Sequence, residues 1–399
     1  MSKRRPESTP ALTSSPMVLG RRCDQLTLQT YRRGSPQLVS FRTVTVRRLA
    51  AWAIYALAVA LAFEGIARLA LGNAGLRQSL FTNDDASWRL EWAARQFDQK
   101  GLNYAIDEWS PTRGWTLKAN LRDLPFRDRI VNSNARGLRG SREIAYEKPP
   151  GVTRIVVLGD SFTFGEEVGD DETYAHYLET LLPNTEVLNL GIHGYGHDQM
   201  LLYLKEEGVR YHPDIVLLGF MPDDMERNVL SFRDYAKPHY RASGGRLELT
   251  TGPVPRPEET LAAEKWRSKF GDLLTMAKSR YEWRTGRTAA IRKELTAAIL
   301  DEMKTVIEGI GARAAFAYLP VYGEIPRTDE GMTSRERAFF EYCKERGIAS
   351  LYIQPAFRAK TRAGVKFKAA GHWDPLEHQT AAEGLKAELI AQGLLPSPR

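Results

Sequence analysis

A chain of 399 residues, 43% of them apolar and 26% charged, can bury a sizeable core and is too apolar to be disordered throughout. Its formal charge of +7 does not point to nucleic acid: ten Lys or Arg against two acidic residues lie within the first 48 positions, and no basic patch interleaved with aromatics follows. The only cysteines, Cys23 and Cys343, exclude a disulfide framework, and Cys343, in a predicted amphipathic helix, reads as a small hydrophobe.

Residues 1–46 carry Arg, Ser, Thr and Pro without a sustained apolar period and are expected to form a disordered, basic cytoplasmic tail; Met17 stands as an alternative start. Residues 47–71 then read as a transmembrane helix. From Leu49 to Leu71 only Glu64, Gly65 and Arg68 are not plainly apolar, and at about 1.5 Å per residue the run crosses a hydrocarbon core of about 30 Å. Arg47, Arg48 and the basic tail place the N-terminus in the cytoplasm and the remainder beyond a bacterial inner membrane. Glu64 and Arg68 stand at i, i+4, where they pair. A signal peptide cleaved after Ala60-Leu61-Ala62 is the competing reading.

Residues 72–150 mix Trp, Asp and Arg with turn signals and are expected to be a linker and accessory segment. From 151 to 399, strands predicted at Ile155–Leu158, Val187–Leu190, Ile215–Leu218, Ala314–Tyr318 and around Ser350–Ile353 alternate with helical patterns. That alternation predicts an α/β, doubly wound parallel sheet. It breaks at about 229–288 into a Pro-, Gly- and Arg-rich insertion, expected as a lid over the carboxyl end of the sheet or as a passive excursion.

The chemistry gathers at the end of the first predicted strand, where Arg154-Ile-Val-Val-Leu-Gly-Asp-Ser-Phe-Thr-Phe-Gly165 sets Ser161 at a site where open α/β sheets bind ligands. A serine hydroxyl needs a base within hydrogen-bond reach, and seven histidines are available.

Gly159-Asp-Ser161, Asn189-Leu-Gly-Ile-His-Gly194, Pro213 to Asp224 and Gly371-His-Trp373 together resemble, in order and spacing, the four blocks of the GDSL/SGNH hydrolase superfamily. Gly114-Trp115, Asn132 to Arg139 and Thr173 to Glu179 resemble a bacterial membrane-anchored subgroup. The resemblance implies a flavodoxin-like fold, Ser161 as nucleophile, His372 as base with His378 in reserve, and the backbone N–H groups of Ser161 and Gly194 as oxyanion donors. No metal or organic cofactor is implied. His193 and His197 flank the glycine-rich loop at Gly194, where a metal site with Asp223 or His372 would lack a known ligand spacing.

Two positions depart from the pattern. The asparagine of the third block is replaced by Asp223, followed by Asp224. An ionised carboxylate cannot donate to an oxyanion, so Asp223 is protonated, or turns away, or Asn228 or a backbone group substitutes. The acid expected two or three residues before the histidine is replaced by Ala370 and Ala369, leaving Asp374 as the nearest carboxylate. The implied function is a membrane-anchored serine esterase acting on an O-acyl ester of a glycan or lipid. One alternative is an acyltransferase modifying a cell-surface or exopolysaccharide, served by a multi-span acyl-donor partner; another is a catalytically inactive glycan-binding or scaffolding protein.

Overall fold

The computed structural model describes residues 40–97, 105–244, 246–321, 323–325, 327–368 and 370–395; most of the expected tail lies outside them, as does Ala369. The chain divides into two compact units, one up to Ala60 and one from Leu61 to Arg399. Helix α1 (Ser40–Gly72) begins earlier than expected, so residues 40–46 of the expected tail are helical. Its segment Thr45–Gly72 has 28 residues and contains an 18-residue stretch of mean hydropathy 1.9, long and apolar enough to cross a bilayer. Trp52, Ile54, Leu57, Leu61, Ile66 and Leu69 on it are exposed, which costs free energy in water and none in lipid.

The second unit continues with α2 (Ala74–Leu80) and α3 (Asp85–Phe97), then the hairpins β1 (Asp107–Ser110) with β2 (Gly114–Leu117) and β3 (Leu124–Phe126) with β4 (Arg129–Val131). An α/β array follows: β5 (Thr153–Gly159), α4 (Ser161–Phe164), α5 (Tyr174–Leu181), β6 (Thr185–Gly191), α6 (His197–Glu206), β7 (Ile215–Phe220) and α7 (Asp224–Arg227). The insertion forms the hairpins β8 (Phe232–Arg233) with β9 (Tyr235–Ala236) and β10 (Tyr240–Ser243) with β11 (Arg246–Leu249), then α8 (Pro257–Glu264) and α9 (Lys269–Arg284). After it come α10 (Arg287–Gly309), β12 (Arg313–Tyr318), α11 (Ser334–Glu345), β13 (Ala349–Tyr352), α12 (Gln354–Arg362) and α13 (Pro375–Ala391).

Five strands pair in parallel in the order β13-β12-β7-β5-β6. This is the doubly wound order that reverses between the first and third strands, here β5 and β7, and opens a crevice at their carboxyl ends. Burial on both faces explains the unbroken apolar runs. Ile155, Val157, Ile215 and Leu217 face a core shared with Leu178 of α5 and Leu385 of α13. Val156, Leu158, Val216 and Leu218 face Met200 of α6, Ile299 of α10 and Phe339 of α11. Alternate side chains thus serve opposite layers.

The segment 72–150 and the insertion pack together. Buried Arg89 of α3 reaches Glu264 at 2.9 Å and Asp272 at 2.5 Å, joining α3 to α8 and α9. Glu64, in the part of α1 that belongs to the second unit, pairs with Arg68 at 2.8 Å. It also accepts from Ser268 Oγ at 2.8 Å and from the Lys269 and Phe270 N–H groups at 3.0 Å each, capping the first turn of α9.

Candidate active site

Strand β5 ends in a sharp turn in which the Asp160 carboxylate caps α4 by accepting from Phe162 N–H at 3.0 Å. Ser161 is therefore the first helical residue, where the backbone N–H has no intrahelical acceptor. The turn lies tightly against β6, since a Cβ on Gly191 would stand 2.4 Å from Phe164 N. Gly194, just beyond β6, has φ of 76°, a conformation that glycine adopts at no steric cost. Both line one pocket.

His372 lies on the loop between α12 and α13, with Nε2 2.8 Å from Ser161 Oγ. Its ring rests beside Phe162, 5.0 Å between centroids. The loop is held from below by Glu377 of α13, which is buried and accepts from Lys368 N–H at 2.9 Å and Asp374 N–H at 2.8 Å. Asp374 in turn accepts from Glu377 N–H at 3.0 Å, a reciprocal capping box. Asp374 thus caps a helix and does not orient the imidazole.

The carboxylates at His372 come from the opposite side. Glu167 Oε1 is 3.5 Å from Nδ1 and Glu166 Oε2 is 3.2 Å from Nε2. Both follow the serine turn directly, a position the block pattern gave no reason to search. Partial burial opposes ionisation of Glu167, but its contact with the Lys368 ammonium, and with His372 after it, holds the carboxyl below the usual range. Glu166 is also paired with Arg127.

The remaining expected residues lie elsewhere. Asp223 does not face Ser161: it is exposed, 3.9 Å from Arg335, and lines a neighbouring groove between β7 and α11. Asn228 is buried, donating to His197 Nδ1 at 3.1 Å and Thr296 Oγ1 at 2.8 Å. His378 is buried as well and accepts from Tyr174 N–H at 3.1 Å; burial lowers its pKa to about 3, so it stays neutral at physiological pH. Burial does the same to His197, which stacks on Phe220 at 4.8 Å. Among the described residues no cluster of metal-ligand type is present.

Just beyond the third block, the end of α7 contributes Arg227 to the pocket. Its Nη1 donates to Asp224 at 2.6 Å, Tyr195 O at 2.9 Å and Asp160 at 3.1 Å. Burial works against the cation, but Asp224 and then Asp160 keep the guanidinium charged. Buried Asp224 is pushed well above the usual carboxylate range by burial and then by Asp160.

The pocket holds about 570 Å³ and is lined by residues from three parts of the chain. Ser161, Glu166, His193, Gly194, Arg227 and His372 come from the α/β array; Trp88, Arg95, Asp107, Trp115, Phe126 and Arg127 come from the segment 72–150; Arg233, Asp234 and Tyr235 come from the insertion. His193 Nε2 stands 2.8 and 2.9 Å from the two Asp107 oxygens. Burial opposes protonation of this imidazole, yet the Asp107 carboxylate raises its pKa above the ordinary value. Arg127 (φ 45°) and Asp234 (φ 59°) form left-handed hairpin tips at the rim. Such conformations are uncommon outside glycine and gather at functional sites.

No family model matches this chain, and no curated protein matches it. Solved structures with similarity include a protein titled TesA, at 13% identity and a TM-score of 0.35 over 60% of this chain and 99% of that one. A lipolytic protein of the G-D-S-L family from Veillonella parvula follows at 11% identity and 0.35, over 59% and 97%. A catalytic mutant of Axe2, an acetylxylan esterase from Geobacillus stearothermophilus, stands at 14% identity and 0.34, over 61% and 96%.

Proposed function

We propose that this chain is an SGNH-type serine esterase, anchored in a membrane through α1, that cleaves an O-acyl ester of a glycan or lipid. The observation that carries the reading is the approach of His372 Nε2 to 2.8 Å from Ser161 Oγ, with Glu167 beside the other ring nitrogen. Ser161 attacks the ester carbonyl as its proton passes to Nε2. Glu167 at Nδ1 and Glu166 at Nε2 stabilise the imidazolium that forms. The Ser161 and Gly194 N–H groups, with the Arg227 guanidinium, receive the oxyanion. Collapse of the tetrahedral intermediate expels the alcohol, protonated by His372. Water activated by the same imidazole then hydrolyses the acyl-serine.

Two observations support this reading of the oxyanion site: Arg227, a cationic donor, lines the pocket, and Asp223 lies exposed outside it, beside Arg335. The inactive-scaffold reading rested on Asp223 and on the alanines before His372; with Asp223 turned away and Glu167 beside the ring, it loses that support. Reaction of purified protein with a fluorophosphonate probe tests the proposal. Labelling at Ser161 that vanishes in Ser161→Ala and falls sharply in His372→Ala is the expected result. An accessible Ser161 that takes up no label would overturn it.

A further inference from the structure

The walls of the Ser161 pocket carry four guanidinium groups brought from four separate elements: Arg95 at the end of α3, Arg127 at the β3–β4 tip, Arg227 at the end of α7 and Arg233 of β8. Three have carboxylate partners. Arg127 is paired with Glu166, Arg227 with Asp224 and Asp160, and Arg233 with Asp234. The remaining wall carboxylate, Asp107, is engaged by His193.

Arg95 differs from the rest. Its Nε and Nη2 are shut off from water and have no hydrogen-bond partner among the described residues. A buried guanidinium donor left unpaired is costly, and native structures rarely keep one without a use. Arg233 lines the same pocket; although it is paired with Asp234, burial, and then the neighbouring Arg227, bring its pKa down to about 9. Trp88 and Tyr235 line the same pocket, and Arg233 lies 4.3 Å over the Trp88 ring.

We infer that the ester this pocket receives bears an anionic group, a carboxylate or a phosphate, which Arg95 binds with Arg233 assisting. Arg95 lines the pocket, and a turn of its side chain toward the cavity brings the planar fork of Nε and Nη2, two parallel donors, to two oxygens of such an anion. An anion there supplies the acceptor that Arg95 lacks and offsets the mutual repulsion of the arginines. A neutral ester supplies neither, so the pocket selects against it as well as for the charged one. The inference rests on the esterase reading for its substrate, but the anion site itself does not.

Full-length protein in detergent, given O-acetylated methyl glucuronoside, O-acetylated methyl glucoside and an O-acetylated sugar phosphate, provides the test. The expected kcat/KM for at least one charged ester exceeds that for the neutral glucoside by at least about tenfold, mainly through KM, because a charge-assisted bidentate contact is lost with the neutral sugar. The ranking of the two charged esters tells carboxylate from phosphate. Arg95→Met should lower kcat/KM for the preferred charged ester at least about tenfold more than for the glucoside, and Arg95→Lys should recover part of the difference. Equal rates on charged and neutral esters by wild-type protein would overturn the inference, as would an equal loss on both in Arg95→Met.

A second arm needs no folded variant of Arg95. Free glucuronate and inorganic phosphate are titrated into wild-type protein during fluorophosphonate labelling, and into Ser161→Ala protein by calorimetry. Protection of Ser161 together with binding to Ser161→Ala is expected. Labelling that neither anion slows, with no calorimetric binding, sinks the anion site alone. Absence of labelling with binding retained sinks the esterase alone.

Discussion

At the scale of single residues, the site assigns different consequences to carboxylates that the sequence leaves equivalent. Glu167→Gln removes the negative charge beside His372 Nδ1 and should lower kcat by on the order of 10²-fold, less than the roughly 10⁴-fold extreme for a buried orienting acid, because Glu167 is 30% exposed and 3.5 Å away. Its low pKa keeps it ionised through neutral pH. The stabilisation from its contact with Lys368 is present above the ordinary carboxylate range and lost as pH falls through the depressed value. Asp223→Asn, by contrast, should leave hydrolysis within about twofold, since an exposed side chain outside the pocket affects little. Arg227→Met should lower kcat by about 10²–10³-fold if its head serves the oxyanion, with Arg227→Lys retaining more. Thermal denaturation of each variant separates this loss from unfolding caused by leaving Asp160 and Asp224 unpaired. Steady-state hydrolysis of an aryl acetate measures all four. Ser161 and His372 were legible in the sequence because each sits in a short motif. Glu166 and Glu167 were not, because their role depends on a loop some 200 residues away folding back over the serine turn.

At the scale of elements, Glu377 and the serine turn make separate predictions. Burial raises the Glu377 pKa to about 7, so the folded state holds its proton more tightly than the unfolded chain does. That contribution is complete below the unfolded value of about 4.3 and is lost as pH rises through about 7. Glu377→Gln should therefore flatten the decline in Tm between pH 5 and 8 in a calorimetric series, and an unchanged slope would contradict the assignment. Glu377→Ala also frees the Lys368 and Asp374 N–H groups that hold the His372 loop, so fluorophosphonate labelling should slow even where the fold survives. Gly191→Ala forces a methyl against the backbone of the serine turn and should cost about 1–3 kcal/mol in a denaturant titration. The five sheet strands and the helices α5, α6, α10, α11 and α13 were readable because their burial imposes a period on the sequence. The two-residue strands β8 and β9 and the hairpins of 72–150 impose none. Of the six pocket residues from that segment only Trp115 stood in a motif, and the other five, with the three from the insertion, carried no signal that could have marked them.

At the scale of the molecule, the charge asymmetry about α1 predicts that alkaline phosphatase fused after Arg399 is active and that a fluorescent protein confined to the cytoplasm is dark in the same position; the reverse pair would relocate the domain. The bonds of Glu64 to the start of α9 bear on how such a domain works when α1 lies in a bilayer. They fasten the chain at Glu64 to the folded unit that carries the active site. The segment between Gly72 and the hairpins then does not set the reach of the active site. A Gly-Ser stretch inserted after Gly72 should leave turnover of a membrane-bound ester nearly unchanged, while Glu64→Ala, with the same stretch present, should lengthen the free tether and change that turnover. Its rate on soluble ester would hold as its rate on the membrane-bound ester changed, because the length of the tether acts only on a substrate that shares the bilayer.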